Sequence, residues 1–129
     1  MVNNLFIKNK ATLFGGAIKC IDNNSANINY FCNNTICNNV AKGGGSAIHF
    51  EFTDVINYNS IIWGNTENST TSALEQIKFN NANLAFLNCI IQNGEYLENS
   101  INIETQNLYT QDPLFIDAIN DNFRLSESS

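Results

Sequence analysis

The sequence predicts an all-β protein wound as a right-handed parallel β-helix, about four coils of roughly 25–30 residues each. Three observations predict it. The phrase "LFGGAIKC" at 13–20 returns as "KGGGSAIHF" at 42–50. Short stretches alternate apolar and polar residues with a period of two, the signature of strands with one buried face. Asparagine occupies 25 of 129 positions, often in doublets, and asparagine favours turns over helices.

The repeat orders the elements. A shift of thirty aligns Asn4 with Asn34, Asn9 with Asn39, Ala11 with Ala41, Gly15 with Gly45 and Ile18 with Ile48. A shift of twenty-nine aligns Ile48 with Ile77, Phe50 with Phe79, Asn59 with Asn88, and Ile61-Ile62 with Ile90-Ile91. The first strand set is "GAIKCID", "SAIHFEF" and "QIKFNNA", with Ile18, Cys20, Ile48, Phe50, Phe52, Ile77 and Phe79 turned inward. The second set is "NTIC", "NSIIW" and "NCIIQ", and the third is "INYF", "VINY" and "LAFL". Three strands per coil follow, with equivalent residues stacked about 4.8 Å apart. Asn4, Asn34, Asn59 and Asn88 are expected to form an amide ladder at one corner, and Gly15 with Gly45 to turn another. A leucine-rich solenoid would need an L-x-x-L-x-L signature, which is absent. Residues 1–129 read as one domain, with 107–129 as its closing segment.

Composition narrows the function classes. The net charge is −6 with six Lys plus Arg, which argues against a nucleic-acid partner. No apolar run approaches the roughly 18 residues of a membrane-spanning helix. The opening "MVNNLFIKNK" carries lysines where an export signal would be apolar, so no export signal is visible; either the protein stays inside the cell or, the reading favoured, the chain is a piece of something longer. Cys20, Cys32, Cys37 and Cys89 form no C-x-x-C and the single His completes no usual zinc set. Buried thiols are the expected state, with a disulfide left open by the sequence.

Some motifs resemble known families. "FIKN" (6–9) with "GGAI" (15–18), and "ICNN" (36–39) with "GSAI" (45–48), are similar to the F-x-x-N and GGAI repeats of polymorphic outer membrane proteins. "NSIIWGN" (59–65) and "DPLFIDAINDNFRL" (112–125) resemble the closing coils of secreted β-helix proteins of the pectate-lyase-like superfamily. The resemblance implies an extracellular or cell-surface setting, in adhesins, autotransporter passengers or polysaccharide-acting modules.

Candidate chemistry is sparse. Alternation places Lys19, His49 and Lys78 in one outward column with Glu51 beside it, a strip for an anionic or sugar ligand or an ordinary solvated face. No nucleophile accompanies His49. Glu51 with Asp54 is the nearest carboxylate pair for glycoside cleavage, and Arg124 is the only arginine. Asp112, Asp117 and Asp121 could hold Ca²⁺ but also suit turns, and no cofactor is expected. The stretches 66–76 and 94–106 read as insertions, with Trp63 and Tyr96 as aromatic contacts for a glycan or a surface protein. Tripeptides at Asn23, Asn33 and Asn68 match the glycosylation pattern at the frequency such an Asn-rich chain yields by chance. The expected role is adhesive or structural. The competing one is a polysaccharide lyase or glycosidase, and a trimeric tail-spike-like fibre is a third. Both coil ends are expected to be open rows of backbone groups, which either self-associate or are capped by flanking sequence.

Overall fold

The computed structural model describes residues 1–24, 26–68, 71–72 and 76–129. The chain winds through stacked sheets in a fixed order. The first turn supplies β1 (Leu5–Ile7), β2 (Lys10–Ala11) and β3 (Ile18–Ile21). The second supplies β4 (Ile28–Cys32), β5 (Thr35–Cys37), β6 (Val40–Ala41) and β7 (Ile48–Glu51). The third supplies β8 (Asp54–Tyr58), β9 (Ile61–Trp63), β10 (Thr66–Glu67), β11 (Thr71–Ser72) and β12 (Ile77–Asn80). Then come β13 (Asn83–Leu87), β14 (Ile90–Ile91), α1 (Glu95–Glu98) and β15 (Ile103–Gln106), and the closing segment holds β16 (Phe115–Asp117) and β17 (Asn122–Leu125). Sheet A orders β4-β8-β13-β15, sheet B β1-β5-β9-β14, sheet C β2-β6-β10-β11 and sheet D β3-β7-β12. Pairing between turns is parallel; β10–β11 and β16–β17 are antiparallel. This is the architecture of a β-solenoid. Its fourth sheet, sheet C, is made of two-residue strands too short to carry an alternation signal.

The repeat sets the register as expected. Ile18 pairs with Ile48 and Ile48 with Ile77, while Ile61-Ile62 pairs with Ile90-Ile91. Inward columns such as Phe6–Ile36–Ile62–Ile91 and Cys20–Phe50–Phe79 build the core, where Ile36, Ile48, Phe50, Ile62, Ile77 and Ile91 are fully buried. Burying each such side chain contributes about 1.5–3 kcal/mol. Phe52 departs from the expected inward alternation. It takes φ 51° at the corner between β7 and β8, which turns its ring out to 46% exposure.

The asparagine doublets divide their labour. Asn3, Asn33, Asn59, Asn88 and Asn107 all have φ between 50° and 56°, one column of left-handed corners just before sheet B. Asparagine tolerates that conformation better than other residues bearing a Cβ. The residue after each corner points inward, so the ladder runs through Asn4, Asn34 and Ser60 rather than through Asn59 and Asn88. Asn4 donates from its backbone N–H and its Nδ2 to Asn34 Oδ1, both at 3.1 Å, and the Asn34 N–H donates to Ser60 Oγ at 3.2 Å. Cys89 continues the inward column, its thiol directed at the carbonyl oxygens of Asn57 and Leu87.

A second ladder runs through Asn9, Asn39, Asn65 and Gln76. Asn39 Oδ1 accepts from Asn9 N–H and Nδ2, and Asn65 Oδ1 accepts from Asn39 N–H and Nδ2, all at 2.9 Å. Asn65 Nδ2 donates to Gln76 Oε1 at 2.7 Å. Gly15 (φ 68°) and Gly45 (φ 57°) form the expected glycine corner; a Cβ on Gly45 would lie 2.6 Å from the Ile48 carbonyl oxygen.

The two ends differ. Sheet D is closed beyond β12 by Tyr96 of α1, whose hydroxyl accepts from Ile77 N–H at 3.0 Å and donates to Ile77 O at 2.7 Å. Leu97, next along α1, is fully buried. The stretch 94–106 is therefore a lid plus a further sheet A strand, β15, and not a projecting insertion. The closing segment runs back along the stack, because Asp121 reaches Lys8 of the first turn at 2.7 Å.

Candidate functional site

The column Lys19–His49–Lys78 exists in register on the outer side of sheet D. It is not an open strip. Phe14, from the corner loop of the first turn, lies over His49 with ring centroids 5.0 Å apart, leaving His49 2% exposed. Gly43 allows this approach, since a Cβ there would lie 2.7 Å from Phe14 Cε1. Lys78 Nζ sits 4.4 Å above the Phe14 ring and donates to Gly43 O at 3.1 Å. Lys19 and Glu51 pair with each other at 3.7 Å. Neither ring nitrogen of His49 has a hydrogen-bond partner among the described residues. Burial above all, then the positive charges of Lys19 and Lys78 against the opposing pull of Glu51, holds its pKa below the ordinary 6.5.

The remaining candidates lie apart. Glu51 and Asp54 sit on different sheets, D and A, on either side of the Phe52–Thr53 corner. Trp63 is half-buried on the outer side of sheet B, in register with Cys37, which is itself 1% exposed. Tyr96 spends its hydroxyl on Ile77. Asp112 accepts from Leu114 N–H, Asp117 from Asn120, and Asp121 pairs with Lys8, so each carboxylate serves its own turn or contact. Among the described residues, no three His, Cys, Asp or Glu side chains gather as a metal site, and no helix is long and apolar enough to cross a membrane. Arg124 lies exposed in β17. Within 66–76, residues 69–70 and 73–75 lie outside the described residues. So do Ser25 and Thr70 of two glycosylation tripeptides.

All four cysteines are free. Burial pushes the Cys37 thiol up to about 12 and the Cys89 thiol up to about 11. Such groups are poor nucleophiles.

A groove that alternation alone did not single out lies on the outer side of sheet A. It encloses about 450 Å³ and is lined by Ile56, Ala85, Asp54, Asn83 and Glu104 among others. Its floor is low because the column Tyr30–Ile56–Ala85–Glu104 narrows to alanine between larger neighbours. Asn83 Nδ2 donates to Asp54 Oδ1 at 2.7 Å, fixing one carboxylate at the rim, and Tyr30 stands 51% exposed at the end of the column. The sequence signal was available: a lone small residue at an outward position flanked by large ones.

The chain matches no protein-family model, no curated protein and no solved structure.

Proposed function

We propose that the chain is a right-handed parallel β-helix of about four coils, of the kind found in polymorphic outer membrane and pectate-lyase-like proteins, and a non-catalytic part of a cell-surface or secreted protein. Its role is adhesive or structural, and the outer side of sheet A is its carbohydrate-contacting face. The groove over Ala85 carries this reading. It joins an apolar floor to two carboxamides, Asn83 and Asn102, and two carboxylates that can accept from sugar hydroxyls, with a tyrosine alongside. A rigid stacked scaffold holds these groups at fixed spacing.

A second reading, hydrolysis of a glycan, draws support from Asp54 and Glu104 lining one groove, since glycosidases work with two carboxylates across a bond. One experiment separates them. The protein is screened against acidic and neutral oligosaccharides, with and without Ca²⁺, for binding and for reducing-end release. Binding that Ala85→Trp abolishes, without product release, supports the adhesive role. Product release lost in Asp54→Asn or Glu104→Gln replaces it with the enzymatic one, and no binding to any glycan removes both the carbohydrate-contacting face and the enzymatic reading, leaving the structural role.

A further inference from the structure

His49 is a buried titratable side chain whose two ring nitrogens both lack a hydrogen-bond partner among the described residues. It points outward from β7, in register with Lys19 of β3 on one side and Lys78 of β12 on the other. Its cover is the Phe14 ring, and the run Gly43-Gly44-Gly45 makes room for that cover. A Cβ on Gly43 would lie 2.7 Å from Phe14 Cε1, and one on Gly44 would lie 3.4 Å from Lys78 Cδ. One turn on, Gly44 holds the place that Phe14 holds in the first, so the ring is not repeated there.

A neutral imidazole carries one N–H donor and one acceptor, and an imidazolium carries two donors. Neither form is served inside this enclosure, and the groups packed around it offer an imidazolium no free anion. Glu51, two residues on along β7, pairs with Lys19 at 3.7 Å. Lys78 Nζ donates to Gly43 O and sits over the Phe14 ring. The corner stretches 12–16 and 42–46 read Thr-Leu-Phe-Gly-Gly and Lys-Gly-Gly-Gly-Ser, with no carboxylate. Once His49 is protonated, the column sets three cations against the one carboxylate of Glu51. What it lacks is a negatively charged acceptor.

We propose that Lys19, His49 and Lys78 form an oxyanion-binding site, closed by the Phe14 ring while His49 is neutral and opened when His49 takes up a proton. The ligand is an oxyanion of the sulfate type. Its oxygens accept from the imidazolium and from a lysine one turn away, at a strand spacing of about 4.8 Å. Opening leaves the stack wound. Leu13 O accepts from Gly43 N–H at 2.6 Å, which anchors the loop backbone, so the ring leaves by rotation of its own side chain. Burial first, then Lys19 and Lys78 against the pull of Glu51, hold the His49 pKa below its ordinary value, so the closed form prevails at neutral pH. Proton and anion then bind cooperatively, each raising the affinity for the other by the same factor. The site lies on sheet D, apart from the groove on sheet A and of opposite charge.

The test uses the intact chain, in which His49 is the single histidine and gives isolated imidazole NMR signals. Its titration is followed downward from neutral pH in chloride and in sulfate at equal ionic strength. Sulfate should raise the midpoint by about one pH unit, the mark of about tenfold tighter binding to the protonated form. Phe14→Ala should bring the chloride midpoint up towards the ordinary histidine value. Lys19→Gln combined with Lys78→Gln should cancel the sulfate shift while circular dichroism shows the fold retained. A sulfated oligosaccharide at equal sulfate concentration tells a free ion from one carried on a chain, and a shift with either supports the site. Equal midpoints in chloride, sulfate and the oligosaccharide overturn the anion site, a result that needs no variant. A chloride midpoint unmoved by Phe14→Ala overturns the cover, and so does a His49 titration that occurs only together with global unfolding.

Discussion

Replacing Asn57 with leucine should make the protein more stable. Asn57 lies on the inward side of β8, in register between Phe31 and Phe86, and is 1% exposed. Neither its Oδ1 nor its Nδ2 has a hydrogen-bond partner among the described residues. Leaving a buried amide unpaired costs about 1–3 kcal/mol, and leucine has the same branching with no polar atoms. The variant should therefore gain about 1–3 kcal/mol, or about 3–5 °C of Tm for each kcal/mol in a chain of this size. The same substitution at Asn39 should have the opposite sign. That amide is fully buried too, but it accepts from Asn9 N–H and Nδ2 and donates to Phe6 O, Cys37 O and Asn65 Oδ1. Asn39→Leu should cost at least about 3 kcal/mol, because it strands those partners inside the stack. Guanidinium unfolding of wild type and both variants, followed by circular dichroism, gives the comparison. If Asn57→Leu destabilises by a kilocalorie or more, the amide is satisfied in solution, and burial without a partner was the wrong account of it.

Two further outcomes follow from the buried titratable groups. His49 has a lowered pKa in the folded chain, so above about pH 6.5 both states are neutral and the residue contributes no pH dependence. As pH falls below that, the unfolded chain takes up the proton first. Stability should decline, at no more than about 1.4 kcal/mol per pH unit, until the folded-state pKa is passed. Urea midpoints from pH 7.5 to 4.5 should show this slope reduced in His49→Phe; an unchanged slope would assign the acid sensitivity elsewhere. With a thiol-exchange reagent at pH 8, the half-buried Cys20 and Cys32 should react in the native state, and Cys37 and Cys89 only on unfolding. Four thiols reacting in a single native-state phase would contradict the burial of the second pair.

Much of the fold was legible because stacking repeats a side chain at the same height of each turn. Ile18, Ile48 and Ile77 recur at the same point of the repeat, and they pair. The misplaced ladder has an arithmetic cause with a physical origin. Between the second and third turns, sheets A, B and C advance 26 residues, as in Thr35–Ile61, whereas sheet D advances 29 from Ile48 to Ile77. Extra residues after β10 account for the difference. The expected ladder set Asn34 against Asn59, 25 residues on and one short of its true partner Ser60. The site was less legible, because whether an outward side chain meets solvent depends on what crosses over it. Nothing local to "AIHF" announces that Phe14, from the previous turn, will cover His49. Nothing near "TIC" announces that outward-pointing Cys37 will be buried.

The contrast between the ladder amides and Asn57 explains why so much asparagine is kept inside a protein whose core is isoleucine and phenylalanine. A parallel stack of near-identical short strands is easily paired out of step, and an Ile that slips onto a neighbouring Ile level loses little. A one-residue slip turns each side chain to the opposite face. For a ladder amide, the slip leaves Asn34, Asn39 or Asn65 buried with its donors and acceptors unmatched, at about 1–3 kcal/mol for each. The two ladders penalise wrong registers far more than they stabilise the right one, where each hydrogen bond nets only about 0.5–1.5 kcal/mol. On that account Asn39→Leu should broaden the unfolding transition as well as lower it, because the isoleucine columns alone would tolerate several alignments.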